Sequence, residues 1–310
     1  MVKKLQHQGN HFIIACTPQQ KQFLQQELND IEYVDLFGYN ISYSTFLPLC
    51  FKILVQLPKL YFVVKKENRW LANYLQENKV DIVISDNRFG FYNKSVESIF
   101  ITHQLNIQAP TFKKVINRIN NSFIKNYNKC WIPDYAEKEK GLSGILSDYN
   151  KQLQNIEFIN PLSRFKKKEP QQNKYDVLIL LSGPEPQRSL LENKLVSVFL
   201  NTNYAIALVR GSVTPRGREI PANFFVLDVA SSKQLQELFN SSEKIICRSG
   251  YSTLMDLYML GLKALLIPTP GQTEQEYLAD YWEEKFGYTS IEQKCITLER
   301  IEAFMKRELQ

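Results

Sequence analysis

The chain has 310 residues, with 38 Lys and Arg against 32 Asp and Glu, a net charge of +6, and 44% apolar residues. This composition is typical of a globular protein and excludes a disordered chain, and the length suffices for two domains. Its five cysteines, an odd number, form no Cys-x-x-Cys pair and have no nearby histidine ligands, which argues against a disulfide framework or a zinc site and favours a reducing cytoplasm.

The N-terminal third contains one ambiguous apolar segment. Residues 1–9 are too polar for a signal peptide, and no run of about 18 apolar residues predicts a transmembrane helix. The segment Phe46–Val64 is rich in Phe, Leu, Ile and Val but also holds prolines and lysines. Two interpretations stay open: a helix lying on an anionic membrane surface, and a core helix pair broken at the prolines. The basic excess falls within residues 1–155, which suits an anionic surface or acceptor; no basic stripe predicts nucleic-acid binding.

Short β-branched runs alternate with helical stretches along the chain. The predicted strands are Phe12–Cys16, Asp81–Ser85, Ser98–Thr102, Val177–Leu181, Tyr204–Val209, Phe224–Leu227, Ile245–Cys247 and Ala264–Ile267, and the predicted helices are Leu190–Leu200, Lys233–Phe239 and Thr253–Leu260. This alternation predicts an α/β fold of doubly wound parallel sheets. A charged, proline-bracketed stretch, Phe158–Asn173, predicts domains at residues 1–158 and 159–310. Ligands of such sheets bind beyond the carboxyl ends of the strands.

The first candidate binding loop joins a predicted strand to a predicted helix. It contains Ser182, Gly183, Gln187 and Arg188. Glycine permits close backbone approach, the helix start offers free N–H groups, and arginine adds a charge-assisted contact, so the loop predicts diphosphate binding. Ordinary helix capping is the alternative, and it is the better interpretation of this loop taken alone.

The second candidate loop follows the run Ile245–Cys247. It comprises Arg248, Ser249, Gly250, Ser252, Thr253 and Asp256. We expect Gly250 to permit a tight turn, Ser252 or Thr253 to cap the helix, and Gly261 to end it. A carboxylate at Asp256 would accept hydrogen bonds from two ribose hydroxyls. The alternative is a Thr-x-x-Asp capping box, in which Asp256 serves only the helix dipole.

The third candidate loop follows the strand Ala264–Ile267. Gln272, Glu274, Gln275 and Glu276 supply donors and acceptors of the kind that recognise sugar hydroxyls. An acidic, solvated helix start is the alternative. All three loops are expected at one edge of one sheet, which favours a ligand site.

These residues resemble a known family. Arg-Ser-Gly-x-x-Thr-x-x-Asp, then Leu-Gly-Leu-Lys-Ala-Leu-Leu-Ile-Pro and Gln-Glu-Tyr, is similar to the C-terminal domain of glycosyltransferase family 28 over Lys174–Gly287. The resemblance implies a GT-B fold of two Rossmann-like domains and a UDP-sugar bound mainly by the second. Residues Arg248–Thr253 would then line the nucleotide pocket, Asp256 would replace a ribose-binding glutamate, and Gln275 and Glu276 would replace a glutamine pair that faces the sugar.

The first half resembles the family more loosely. The segment His103–Asn106 is similar to a His-Glu-Gln-Asn loop at the interdomain cleft, and Ile84–Gly90, Cys130–Asp134 and Gly141–Gly144 are similar to an uncharacterised bacterial branch. Family members begin with a strand and a Gly-rich, histidine-containing loop. By this resemblance the chain begins at the end of the first helix, and we expect the first domain to be truncated or its start site to lie further upstream.

The resemblance implies an enzyme that transfers a GlcNAc-like sugar from UDP to a lipid-linked or glycan acceptor, in the cytoplasm or peripherally on the inner face of the membrane. No metal or other cofactor is expected, because helix N-termini and arginine can stabilise the leaving diphosphate. His103 and then Asp86 are the candidate general bases; a structural histidine bonded to local backbone is the alternative for His103. Two other functions stay open: a nucleotide-sugar-binding but catalytically impaired protein, or a subunit that needs a partner; and a UDP-sugar hydrolase or 2-epimerase of the same fold.

Overall fold

The computed structural model describes residues 2–6, 8–38, 49–149, 153–167, 172–212 and 220–307. The chain divides into two compact units. The first unit contains Met1–Tyr43 and Arg164–Ile246, and the second contains Ser44–Ser163 and Cys247–Gln310. Each unit takes residues from both sides of position 158, and the predicted domain boundary there stays a prediction.

Helices and short strands alternate along the chain. In the first unit they are α1 Val2–Gln6, β1 Ile13–Cys16, α2 Pro18–Leu24, β2 Glu32–Asp35, β7 Tyr175–Leu180, α5 Gln187–Phe199, β8 Ile206–Val209, β9 Phe224–Leu227, α6 Ser232–Asn240 and β10 Ser242–Cys247, whose last residue is counted with the second unit. In the second unit they are α3 Leu49–Glu77, β3 Ile82–Asp86, β4 Glu97–Ile101, α4 Lys113–Ile124, β5 Lys129–Ile132, β6 Ile156–Phe158, α7 Tyr251–Leu260, β11 Leu265–Leu266, α8 Thr273–Phe286, β12 Thr289–Ser290 and α9 Leu298–Met305.

The strands form three sheets, and the pairs β1–β2, β3–β4, β4–β5, β5–β6, β7–β8, β8–β9 and β11–β12 are parallel. Strand β1 pairs with β2, a second sheet has the order β3-β4-β5-β6, and a third has the order β12-β11-β10-β7-β8-β9. Helices connect most consecutive strands, as parallel pairing requires. The predicted α/β class with parallel sheets is therefore confirmed.

All eight predicted strands exist, with ends shifted by a few residues. Strand β10, for example, begins at Ser242, three residues before the apolar run Ile245–Cys247 that predicted it. Continuous burial explains why the central strands were visible in sequence: all four residues of β8 are buried, so every position selects an apolar side chain. The strands β2, β5, β6 and β12 were missed because they are short and partly polar.

The core of the four-stranded sheet lies between that sheet and α4. It contains Phe100, Leu105, Ile124, Tyr127, Cys130, Ile132 and Leu153. Burial raises the pKa of the Cys130 thiol to about 12, so the group remains a neutral, packed side chain. Phe100 of β4 and Ile132 of β5 place the carboxyl-terminal parts of these two strands in the core, so their ends are held where the following loops begin.

Helix α3 excludes one of the two interpretations of the apolar segment Phe46–Val64. It runs without interruption from Leu49 to Glu77 through Pro58, so the alternative of a helix pair broken at the prolines is wrong. Residues Phe46–Pro48 of that segment lie outside the described residues. No helix in the described ranges has both the length and the apolar character needed to cross a membrane.

Candidate functional site

Arg248 closes β10 and is fully buried, with 1% of its surface exposed. Its Nη1 donates to the carbonyl oxygens of Ile267, at 3.1 Å, and Pro268, at 3.0 Å, and its Nη2 donates to Oε1 of Gln293, at 2.7 Å. Burial lowers the pKa of Arg248 to about 10, which still leaves the guanidinium charged at neutral pH. The side chain therefore holds the loop after β11 in place, and its part in a nucleotide pocket stays a prediction.

Ser249 has the same kind of role. Its side chain is fully buried, and Oγ donates a 2.7 Å hydrogen bond to the carbonyl oxygen of Gln275 in α8. Together, Arg248 and Ser249 tie the end of β10 to the two segments that follow β11.

Helix α7 begins differently from the prediction. Gly250 is the N-cap with φ −74° and ψ 137°, an ordinary extended conformation, and no described side chain caps this end. The predicted tight turn at Gly250 and the predicted caps at Ser252 and Thr253 are therefore wrong, because the helix already begins at Tyr251. Gly261 ends the helix with φ 70°, as predicted.

The space in front of Gly250 is open. An added Cβ at this position would meet no atom within 4 Å. A helix N-terminus whose first N–H groups receive no side-chain cap is a favourable place for an anionic group. Since φ does not require glycine here, close approach of a ligand is a physical reason for the missing side chain.

Asp256 is the sixth residue of α7 and is half-buried. This position lies beyond the first turn, so the alternative of a Thr-x-x-Asp capping box is wrong. Its Oδ1 accepts a 2.6 Å hydrogen bond from Oγ of Ser163. The ribose contact of Asp256 stays a prediction.

The third loop is held by the side chains predicted to face a sugar. Oε1 of Gln275 accepts from the backbone N–H of Thr269 at 2.9 Å, and Oε1 of Glu276 accepts from the backbone N–H of Gly271 at 2.8 Å. Gln272 is the N-cap of α8, and Glu274 and Glu276 lie in its first turn. Glu276 remains half-buried and Gln275 is nearly covered. Gln275 and Glu276 thus each use one side-chain oxygen to accept a hydrogen bond from the backbone of the loop.

His103 lies two residues after β4 and has two side-chain neighbours from the C-terminal part of the chain. Its Nε2 lies 2.7 Å from Oε1 of Glu274. Its ring stacks on Tyr251, with 4.2 Å between ring centroids and 16° between planes. The alternative of a histidine bonded to local backbone is therefore wrong. Sequence reasoning missed Tyr251, and Glu274 was noted only as part of its loop; the separation of 171 residues left no local signal.

Asp86 lies near this histidine because β3 and β4 run side by side. Asp86 is paired in register with Ile101, two residues before His103. Desolvation raises the pKa of Asp86, and the nearby His103 opposes this rise. The structure thus brings both candidate bases to one edge of the four-stranded sheet.

In the first candidate loop, which belongs to the first unit, the arginine is buried and already paired. Arg188 is 3% exposed; its Nη1 donates to the carbonyl oxygen of Arg210 at 3.0 Å, and Nη2 pairs with the carboxylate of Glu185. Gly183 has φ 98° and is exposed, and Ser182 and Gln187 are half-buried. The guanidinium of Arg188 is thus engaged within its own unit, and its predicted phosphate contact stays a prediction.

Arg210 is a cation that the sequence analysis did not single out. It follows β8 directly, and its Nε lies 2.9 Å from Oε1 of Glu192 and its Nη1 3.2 Å from Oδ1 of Asp228. Desolvation raises the pKa of Glu192, and the positive charges of Arg210 and Arg188 partly offset this rise. Among the described residues, no group of three or more His, Cys, Asp or Glu side chains is placed to hold a metal ion.

Comparison with known proteins identifies the C-terminal part and the fold. Residues 222–310 match the glycosyltransferase family 28 C-terminal domain. No curated protein matches the chain by sequence.

Three solved structures show the similarity of fold. The calicheamicin glycosyltransferase CalG4 has a TM-score of 0.65 at 10% identity, covering 99% of this chain and 85% of that one. UGT89C1 of Arabidopsis thaliana, complexed with UDP-L-rhamnose, has a TM-score of 0.64 at 11% identity over 99% and 85%. MurG of Acinetobacter baumannii has a TM-score of 0.54 at 14% identity over 98% and 85%. The chain thus shares its fold with these solved glycosyltransferases, and its residues 222–310 match the glycosyltransferase family 28 C-terminal domain.

Proposed function

We propose that the chain is a glycosyltransferase that transfers a GlcNAc-like sugar from a UDP-sugar to a lipid-linked or glycan acceptor. The observation that carries this proposal is the family 28 match, which includes all the candidate residues from Arg248 to Glu276. A solved structure of the same fold is a complex with UDP-L-rhamnose, which supports a UDP-sugar as donor.

The donor is proposed to bind at the start of α7 and α8. The open space in front of Gly250 would admit the diphosphate to the N-terminus of α7. Asp256 would accept hydrogen bonds from the ribose, and Gln272, Gln275 and Glu276 would contact the sugar. Helix N-terminal N–H groups would stabilise the leaving diphosphate, and we propose that no metal is required.

The proposed reaction is a direct displacement with inversion. The acceptor oxygen forms a bond to C1 of the sugar, its proton passes to a general base, and the bond between C1 and the diphosphate oxygen breaks with its electron pair leaving on UDP. We propose His103 as this base, because its ring is held at a sheet edge beside two carboxylates and remains partly exposed.

A lipid-linked acceptor would place the enzyme in the cytoplasm, peripherally on a membrane surface. The side chains of Tyr61 and Phe62, on α3, are 51% and 69% exposed, and Nζ of Lys65 lies 4.7 Å from the Tyr61 ring centroid. Exposed aromatic rings beside a lysine are suited to the interface of an anionic bilayer. This arrangement supports the proposal of a membrane-associated acceptor.

The test is direct. The purified chain is titrated calorimetrically with UDP and a panel of UDP-sugars, and then incubated with each binding donor and with lipid-linked or soluble glycan acceptors. Mass spectrometry is expected to show an acceptor heavier by one sugar, together with UDP. Free sugar without any acceptor product would identify a hydrolase, donor binding without turnover would identify a subunit that needs a partner, and no binding of any UDP compound would refute the proposal.

A Gly250→Val variant sharpens this test. Valine readily adopts the extended conformation of Gly250, yet its side chain would fill the space proposed for the diphosphate. The matched control is Glu284→Gln, on the exposed face of α8. Loss of UDP binding in the Gly250 variant alone supports the proposed donor site.

A further inference from the structure

His103 is held by two groups of the second unit. Glu274 contacts Nε2, and the Tyr251 ring covers one face of the imidazole. Tyr251 is itself fixed, since its hydroxyl donates a 2.9 Å hydrogen bond to the carbonyl oxygen of Pro133 and only 3% of its surface is exposed. The orientation of the imidazole is therefore determined by its surroundings.

Glu274 is also fixed in place. It is the second residue of α8, and the preceding Thr273 donates from Oγ1 to the carbonyl oxygen of Gln108 at 2.5 Å. Further along the helix, the hydroxyl of Tyr277 accepts a 2.8 Å hydrogen bond from the backbone N–H of Ile145. These contacts anchor the start of α8 beside the loop that carries His103.

This arrangement decides which nitrogen of His103 is basic. A neutral imidazole has one N–H, and a carboxylate oxygen only accepts hydrogen bonds. The contact between Nε2 and Glu274 therefore requires the proton on Nε2, which leaves the lone pair on Nδ1. The side-chain nitrogen of Gln104 also lies 3.5 Å from Nε2, which is too far to compete with the 2.7 Å contact to Glu274. Within the described part of the chain, the structure gives Nδ1 no hydrogen-bond partner.

We propose that Glu274 is the positioning residue of His103, which fixes the Nε2–H tautomer and makes Nδ1 the atom that receives the acceptor proton. The proposal rests on the proposed function. During the displacement the hydroxyl proton of the acceptor passes to Nδ1 as the acceptor oxygen bonds to C1 of the sugar and UDP leaves with the electron pair. The imidazolium formed then faces the carboxylate of Glu274, which stabilises its charge.

The first experiment reads the tautomer without any turnover. Long-range proton–nitrogen NMR spectra of the full chain report the protonation of each ring nitrogen, and the chain has only three histidines, so a His103→Gln spectrum assigns the signals. We expect neutral His103 to carry its proton on Nε2. Glu274→Ala should give a mixture of tautomers, whereas Glu274→Gln, which keeps an acceptor oxygen, and Glu284→Gln, on the same helix, should retain Nε2–H. A proton on Nδ1 of the wild type, or an unchanged tautomer in Glu274→Ala, would overturn the proposal.

The second experiment measures transfer. Because misorientation of a catalytic group costs up to about 100-fold, Glu274→Ala is expected to lower kcat by roughly 10- to 100-fold with little change in KM, and Glu274→Gln is expected to restore part of it. A change in KM alone, or no change in kcat, contradicts a positioning role. If the wild type transfers no sugar, the proposed function fails, while the NMR spectra still decide the role of Glu274. Thermal unfolding of each variant confirms that it is folded.

Discussion

The hydroxyl of Ser163 donates a 2.6 Å hydrogen bond to Oδ1 of Asp256. This contact orients a half-buried carboxylate in the middle of α7. An oriented carboxylate binds a pair of adjacent hydroxyl groups better than a mobile one, because less conformational entropy is lost on binding. The contact therefore connects the end of the segment before Arg164 to the proposed ribose site.

Asp256→Ala is expected to weaken UDP binding by about 10- to 100-fold, since hydrogen bonds to charged groups contribute about 1.5–3 kcal/mol. Calorimetry with UDP and 2′-deoxy-UDP checks the cause. The wild type should prefer UDP, and Asp256→Ala should bind the two nucleotides alike. Ser163→Ala keeps the carboxylate and should keep the preference; a preference that survives in Asp256→Ala would show that the ribose is held elsewhere.

Two glycines are expected to differ in how strongly an added side chain lowers the free energy of unfolding. Gly250→Ala should leave the free energy of unfolding within about 0.5 kcal/mol of the wild type, because the space around it is empty. Gly90→Ala should lower it by about 1–3 kcal/mol, because the new Cβ would lie 2.6 Å from Cβ of Glu67 and 2.8 Å from its Oε2. Urea unfolding of both variants measures the difference, and equal effects would contradict the packing described around Gly90.

Arg248 is expected to act through stability. Arg248→Met should lower the free energy of unfolding by about 2–4 kcal/mol, because buried carbonyl oxygens of Ile267 and Pro268 lose their donor. Arg248→Lys should also be destabilising, since an ammonium group cannot reproduce the planar guanidinium contacts. The exposed Arg300 provides the control: Arg300→Met should unfold at the same urea concentration as the wild type. A fully stable Arg248→Met protein that no longer binds UDP would instead show direct ligand contact.

Asp86 predicts a pH dependence of stability. Its pKa in the folded chain is raised above the usual value of 3.8 by desolvation, so the folded state binds more protons than the unfolded state between the two pKa values. The stability of the folded chain therefore falls as pH rises from 3.8 through the folded-state pKa of Asp86, and the cost is small because Asp86 is exposed to solvent.

Asp86→Asn removes this cost. We expect the variant to be more stable than the wild type at pH 7, with the gain disappearing as the pH is lowered below about 3.8. Urea unfolding across this pH range measures the difference in stability between variant and wild type. The control is Asp81→Asn, at the residue directly before β3. A variant less stable than the wild type at pH 7 would show that the carboxylate of Asp86 is net stabilising.

The fold was predictable largely because its signals are local. The run Val177–Leu181 is apolar at every position, as a strand covered on both faces must be, and β7 lies there. Helix starts were less predictable. Ser252 and Thr253 have side chains that cap helices well, yet α7 already begins at Tyr251, with Gly250 as an N-cap that has no side chain. Helix α3 continues through Pro58 against the rule that proline breaks helices.

The sequence by itself determined the α/β class, the positions of most strands along the chain and the motif from Arg248 to Glu276. Apolar periodicity and loop chemistry depend on neighbouring residues, which a local pattern records. Only the tertiary structure decided what the polar residues of that motif contact. Arg248 and Ser249 are buried, and His103 meets a glutamate 171 residues away. Burial and hydrogen bonding of a polar side chain depend on segments distant in the chain, and a local pattern carries no information about them.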